Sequence, residues 1–154
     1  MVEILKDMNE FKTFLQAAGH KLVVVEFSAK WCGPCQRMYP IFHAMSLQYQ
    51  NVFFANVDVD ASPDLAESCH IRAIPTFQMF KKKEKVNLFS RIKRIICCYR
   101  SGFVVKQIYE FCGADGKKLE EKIKQLIRYY SVLLVSGLKL YWLNTILQSH
   151  CKIA

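Results

Sequence analysis

The chain has 154 residues, of which 52% are hydrophobic, with four prolines and six glycines. This composition predicts a globular domain with a substantial core and excludes a chain that is disordered throughout. The net charge is +9, but residues 81–106 carry +8 of it, so the remainder is almost neutral. Residues 1–11 contain four charged side chains and no long apolar run, so we expect no secretory signal peptide and a reducing, cytoplasmic setting.

The first predicted elements are a short strand at 2–5, a helix over about 7–19 and a strand at 21–27. Asp7 and Glu10 have the spacing of a capping box, and Gly19 stands where a helix commonly ends. The run KLVVVEF at 21–27 is mostly apolar and β-branched, which is typical of a strand buried on both faces of a parallel sheet.

The sequence KWCGPCQ occupies residues 30–36, soon after that strand. Pro34 has the fixed φ and the missing N–H that suit the first turn of a helix, and apolar residues recur at helical spacing behind it. We therefore predict that Cys32 and Cys35 lie at a strand-to-helix junction, with Cys32 at the N-terminus of the helix.

Three chemistries are compatible with a CxxC pair, and the sequence favours one of them. A zinc site needs four ligands, but the sequence has no second CxxC and no HxxxH. A static bridge across two residues would restrain the unfolded chain very little. Dithiol exchange fits best, because a helix N-terminus stabilises the thiolate that attacks a disulfide. Gly33 and Pro34 keep the turn short, so Cys35 stays within reach of a mixed disulfide on Cys32.

The later predicted elements alternate between strands and helices. They are a strand at 51–60, a helix from Ser62–Pro63 to about Cys69, a strand at 73–82 entered through Pro75, and a final helix marked by Leu119, Ile123, Leu126 and Ile127. The order of these elements predicts right-handed crossovers and a mainly parallel central sheet.

The motif WCGPC after VVVEFSA, followed by IPT at 74–76, resembles the active-site sequence of the thioredoxin family. The resemblance runs from Met1 to about residue 86 and resumes at 109–127. In detail it is similar to the vertebrate cytosolic thioredoxins, and within that group to a spermatid-specific thioredoxin. The resemblance implies the thioredoxin fold, an α/β fold in which a mixed, mainly parallel sheet is flanked by helices.

This resemblance also implies a protein disulfide reductase. Cys32 would attack a substrate disulfide, Cys35 would resolve the mixed disulfide, and Trp31 would shield the site. Ile74 and a cis-Pro75 would hold an extended substrate beside Cys32. The implied partners are disulfide-containing proteins and thioredoxin reductase as electron donor, with no metal and no other cofactor. The implied setting is developing sperm, with Golgi association and acrosome formation.

Glu26 stands where the family has a buried aspartate that relays a proton to the second cysteine. Burial would give its carboxyl a perturbed pKa, whereas the alternative is an exposed strand residue. Asp60 is interpreted as a solvated carboxylate. Cys69 is interpreted as a small buried hydrophobe, with regulatory oxidation as the alternative.

The resemblance places a thioredoxin domain at 1–128, with an insertion in its last hairpin at about 87–108. Residues 103–108 are expected to replace part of the original strand. Because the segment 81–106 is both basic and apolar, it suits an anionic membrane surface or an acidic partner. A loop without a binding role is the alternative. The sequence has no recognised nucleic-acid-binding fold, so we do not predict a nucleic-acid partner.

The C-terminal extension at 129–154 is apolar, and its 19-residue core at 129–147 contains Lys139. A lysine inside a membrane costs about 2.5–3.5 kcal/mol, so we prefer a helix that packs on the domain or lies on a membrane surface over a spanning anchor. Two further readings of the whole chain remain. One is a redox-sensitive binding module with little turnover, and the other is a membrane-associated thioredoxin.

Overall fold

The computed structural model describes residues 1–82 and 105–128. In chain order the elements are β1 (Val2–Ile4), α1 (Met8–Ala17), β2 (Leu22–Ser28), α2 (Gly33–Gln48), β3 (Val52–Asp58), α3 (Pro63–Ser68), β4 (Thr76–Lys82), β5 (Val105–Cys112) and a last helix, α4, over residues 116–128. The described residues fall into two units, Met1–Gly116 and residues 117–128. The boundary expected after residue 128 stays a prediction.

The five strands form one sheet in the order β1-β3-β2-β4-β5. β3 pairs parallel with β1 and β2, whereas β4 pairs antiparallel with β2 and β5. The predicted mixed sheet flanked by helices is therefore confirmed, with its parallel part in β1, β3 and β2. The chain passes from β3 through the short helix α3 and then enters the sheet as β4, beside β2 and opposite to it in direction.

The two faces of the sheet are covered by different helices. On the first face, Val23, Val25 and Phe27 join an apolar cluster with residues of α1 and α3. On the second face, the Phe42 ring of α2 lies 5.3 Å from the Phe54 ring, centroid to centroid. Because successive residues of a strand point to opposite faces, the even-numbered residues of β2 share the second face with α2.

Local sequence signals explain the ends of α1. The Asp7 Oδ1 atom accepts hydrogen bonds from the backbone N–H groups of Asn9 and Glu10, at 2.7 and 2.9 Å. Glu10 Oε2 in turn accepts from the N–H of Lys6 at 2.8 Å. Gly19 follows the end of the helix with a φ of 57°, a conformation that glycine adopts without strain. The predicted capping residues are thus confirmed.

The last hairpin joins β4 to β5. Thr76 pairs with Cys112 at one end of the two strands, and Lys82 pairs with Val105 at the other end. A register shift after Met79 leaves Ile108 without a directly opposite residue. Residues 105–108 continue the strand, so this part of the prediction for the insertion is confirmed.

Several predictions lie outside the described residues. They concern the segment 83–104 and the extension 129–154. Within residues 1–82 and 105–128, no helix has both the length and the hydropathy to cross a membrane. In the second unit, Leu119 and Ile123 are buried, and Glu120 forms an ion pair with Lys124 at 2.7 Å.

Candidate redox site

Cys32 and Cys35 lie at the N-terminus of α2, as the sequence predicts. Cys32 is the N-cap residue, with extended backbone, and the helix begins at Gly33. The two sulfurs form a disulfide with an S–S distance of 2.05 Å, and each cysteine is only 4% exposed. The backbone N–H of Cys35 donates to Cys32 Sγ at 3.2 Å. The same N–H and the positive end of the helix dipole would stabilise a thiolate on Cys32 in the reduced protein.

Apolar side chains from three segments surround the disulfide. Ala29 is buried with the two cysteines, and Val59 and Ile74 pack against them. The Ile74–Pro75 peptide bond is cis. The carbonyl oxygen of Pro75 accepts a hydrogen bond from the N–H of Gly113 at 2.9 Å, so the end of β5 is fastened to the Pro75 loop.

Trp31 lies beside the cysteines but remains 69% exposed. Its Nε1–H donates to Asp60 Oδ2 at 2.7 Å, and the N–H of Asp60 donates to Asp58 Oδ1 at 3.0 Å. Asp60 is therefore more than a solvated carboxylate, because it holds the indole ring in place. Sequence reasoning missed this contact; the signal was only that both residues follow predicted strands, which the structure pairs in parallel.

Glu26 is buried, with 1% of its surface exposed, so the alternative of an exposed strand residue is excluded. Asn56 Nδ2 donates to Glu26 Oε2 at 3.1 Å and to Ser28 Oγ at 2.8 Å. Glu26 Oε1 has no hydrogen-bond partner among the described residues. Burial raises the pKa of Glu26 from its ordinary value of 4.5 to about 7, against the opposing effect of the Asn56 hydrogen bond. The carboxyl lies on the sheet face covered by α2, the helix that carries Cys35.

Sequence reasoning missed Asn56 and Ser28 as neighbours of Glu26. The pairing of β2 with β3 places Asn56 directly opposite Glu26, and Ser28 is two residues further along the same face. The only local signal was a polar asparagine within the apolar run FFANV. Its partner becomes identifiable once the register of the two strands is known.

The other described cysteines lie outside the disulfide. Cys69 is buried within the apolar cluster, which agrees with its interpretation as a small hydrophobe. Cys112 is exposed, and its Sγ lies 3.1 Å from Thr76 Oγ1. In residues 1–82 and 105–128, no group of three or more His, Cys, Asp and Glu side chains is arranged to hold a metal ion.

Comparisons with known proteins agree with this geometry. Residues 2–96 match the family model described as "Thioredoxin". The human "Thioredoxin domain-containing protein 8" is 74% identical over 127 residues, which cover 82% of this chain and all of that protein. Human "Thioredoxin" is 42% identical over 127 residues, with the same coverage of both chains. The X-ray structure of Fasciola hepatica thioredoxin has a TM-score of 0.63 and 27% identity, and covers 80% of this chain and 98% of its own.

Proposed function

The chain belongs to the thioredoxin family, whose members are thiol–disulfide oxidoreductases, and we propose that it is a protein disulfide reductase with Cys32 and Cys35 as its redox pair. The observation that carries the proposal is the disulfide at the N-terminus of α2, where the Cys35 N–H donates to the Cys32 sulfur. This arrangement favours the thiolate form of Cys32, and the thiolate is the nucleophile in disulfide exchange.

The reaction transfers two electrons in two exchange steps. The Cys32 thiolate attacks a substrate disulfide, forms a mixed disulfide and displaces one substrate thiolate, which takes up a proton. The Cys35 thiolate then attacks Cys32 Sγ and breaks the mixed disulfide. The second substrate thiol leaves, and the Cys32–Cys35 disulfide forms. The substrate is reduced, and the protein has the oxidised form seen in the structure.

Cys35 must lose its proton before the second step, and Glu26 is the proposed acceptor. Its carboxyl lies on the face covered by α2, and its pKa near 7 suits proton transfer near neutral pH. Glu26 Oε1 has no partner among the described residues, so one oxygen is available for a proton. Asn56 holds the other oxygen and thereby fixes the orientation of the carboxyl.

Substrate binding is assigned to the surface around the disulfide. Trp31 is exposed there, and Ile74 packs against the cysteines. This contact brings the loop of Ile74 and Pro75 to the disulfide, and we assign the extended substrate chain to these two residues. Gly33 and Pro34, which separate the two cysteines, are exposed in the first turn of α2.

The proposed partners are disulfide-containing proteins as substrates and thioredoxin reductase as electron donor. The proposed setting is the cytoplasm of developing sperm, with Golgi association during acrosome formation. Support for this setting is the resemblance to a spermatid-specific thioredoxin. Immunolocalisation in testis sections would test it, and staining confined to other cell types would contradict it.

The function is tested by reduction of insulin disulfides with NADPH and thioredoxin reductase. We expect turnover by the wild type and none by Cys32→Ser, because that variant lacks the attacking thiol. Cys112→Ser is the matched control, since Cys112 lies outside the disulfide, and it should keep turnover. A folded wild type with titratable thiols but no turnover would contradict the proposal and favour a redox-sensitive binding module.

A further inference from the structure

Three cationic side chains lie in the segments that form the redox site. Lys30 is two residues before Cys32, Arg37 is near the start of α2, and Arg72 is two residues before Ile74. All three are exposed, and none forms an ion pair with another described residue. We call these three residues the cationic rim.

Arg37 is the best-placed member of the rim. Its Nη1 atom lies 4.0 Å from the position that a Cβ on Gly33 would occupy. Helical side chains lean toward the N-terminus of their helix, which brings this guanidinium one turn back toward the CxxC motif. Lys30 is also tied to α2, because Gln36 Nε2 donates to its carbonyl oxygen at 2.6 Å. Arg37 and the backbone of Lys30 are therefore both held at the start of α2, and the two residues flank Cys32 along the chain.

Two carboxylates, Asp58 and Asp60, lie in the same region and oppose the rim only in part. Asp60 Oδ2 accepts the hydrogen bond from Trp31 Nε1, and Asp58 Oδ1 accepts from the N–H of Asp60, so both acids lie on the Trp31 side of the site. Asp60 forms no ion pair with Lys30, Arg37 or Arg72. The charges of the rim are thus available to a molecule that approaches the cysteines.

We propose that the cationic rim selects disulfide substrates that carry acidic residues next to the reacting cysteine. This inference rests on the proposed reductase function and names a substrate class for it. The reacting sulfur of the substrate must come within bonding distance of Cys32 Sγ. The residues next to that substrate cysteine are then only one or two Cα steps from it, at about 3.8 Å a step. These steps are shorter than the length of about 8 Å over which salt screens charges at physiological ionic strength. Acidic neighbours are attracted to the rim and lysine neighbours are repelled, mainly during encounter.

The test uses three disulfide-linked peptides that differ only beside the cysteine, with glutamate, glutamine or lysine there. The pre-reduced protein reacts with each peptide in a stopped-flow mixer, and separation of a fluorophore from its quencher reports the rate constant. No electron donor is present, so docking of a reductase cannot influence the result. We expect the glutamate peptide to react about tenfold faster than the lysine peptide at low salt, and the difference to shrink at high salt.

Substitutions then assign the preference to the rim. Arg37→Gln should lower the rate constant for the glutamate peptide about threefold and leave that for the glutamine peptide nearly unchanged. The triple variant, which adds Lys30→Gln and Arg72→Gln, should react with all three peptides at similar rates. Lys21→Gln is the charge-matched control. Lys21 precedes β2, so it lies about 20 Å along the strand from the end that leads to the cysteines. The preference for the glutamate peptide should therefore persist in this variant.

The outcomes separate the two proposals. If the wild type reduces no peptide, the reductase function fails, and the selection fails with it. If the wild type reduces all three peptides at equal rates, the function stands and the cationic rim is overturned as a selector. Equal slowing of all peptides by Arg37→Gln would also overturn it, because that result indicates a change in Cys32 reactivity. A preference that persists in the triple variant would place selection elsewhere and overturn the proposal.

Discussion

The two faces of β2 are built from alternate residues of one strand, but only one of them is wholly apolar, because the other combines Leu22 and Val24 with the acid Glu26. Val23, Val25 and Phe27 are at most 1% exposed and pack only into the apolar cluster with α1 and α3. On the other face, Glu26 is equally buried and has one carboxyl oxygen without a partner among the described residues. Both faces therefore contribute apolar packing, but only the face under α2 also buries an acid, whose ionised form is costly to keep away from water.

The largest expected effect comes from breaking the apolar face. Phe27→Ala should lower the free energy of unfolding by about 3–5 kcal/mol, because it removes a fully buried ring and leaves a cavity. Urea unfolding of the oxidised protein would measure the loss. The loss of unfolding free energy should be the same at about pH 5 and pH 8, because the substitution removes no titrating group. Phe27→Leu is the control and should lose less. A loss that depends strongly on pH would contradict the division between the two faces.

The second prediction concerns the acid on the other face. The pKa of Glu26 is higher in the folded protein than in the unfolded chain, so the folded state binds the proton more tightly. The stabilisation of the folded state by protonated Glu26 is complete below pH 4.5 and is lost as the pH rises through about 7. The free energy of unfolding should therefore fall by about 3 kcal/mol across this window. Glu26→Gln should remove the fall, as urea unfolding against pH would show.

Glu3→Gln is the control for this measurement, because Glu3 is exposed on β1 and its removal should leave the fall intact. If Glu26→Gln keeps the wild-type pH dependence, another group is responsible, and the assigned acid role of Glu26 loses its support.

Asn56 is the hydrogen-bond donor that sets how readily the buried Glu26 ionises. Asn56→Ala removes the donor to Glu26 Oε2, so the ionised carboxylate loses its hydrogen bond. The pKa of Glu26 should rise further, and the free energy of unfolding should fall by about 1–2 kcal/mol near pH 8 and less near pH 5. Carboxyl-carbon NMR against pH would follow the titration. Ser28→Ala retains the Asn56–Glu26 bond and should change the pKa less; equal shifts in both variants would argue against a specific role for Asn56.

The smallest predicted effect concerns the helix that covers the apolar face. Asp7→Ala removes the acceptor for two backbone N–H groups at the start of α1 and should cost about 1 kcal/mol in thermal or urea unfolding. Asp7→Asn keeps a capping oxygen and should be nearly neutral. An equal loss in both variants would show that the charge of Asp7, rather than its hydrogen bonds, stabilises the helix.

Local rules in the sequence predicted much of the fold and the centre of the site. The helix N-terminus at Cys32 follows from the position of Pro34, and the start of α1 follows from its capping residues. The reversal of β4 could not be predicted locally, because the direction of the strand is set by its pairing with β2, far earlier in the chain. The Asn56 contact with Glu26 depends on strand register, and the Trp31 contact with Asp60 depends on two loops meeting in space.

The pairing of Lys82 with Val105 has a consequence beyond folding. The chain leaves and re-enters the sheet there, at the edge opposite Thr76 and therefore about 20 Å along the strands from the Pro75 loop. Because Lys82 and Val105 are the last pair of this hairpin, the position of Thr76 and Cys112 beside the Pro75 loop is set by the paired residues and not by the length of the connection. Evolution can therefore change that length without moving the residues that flank the disulfide.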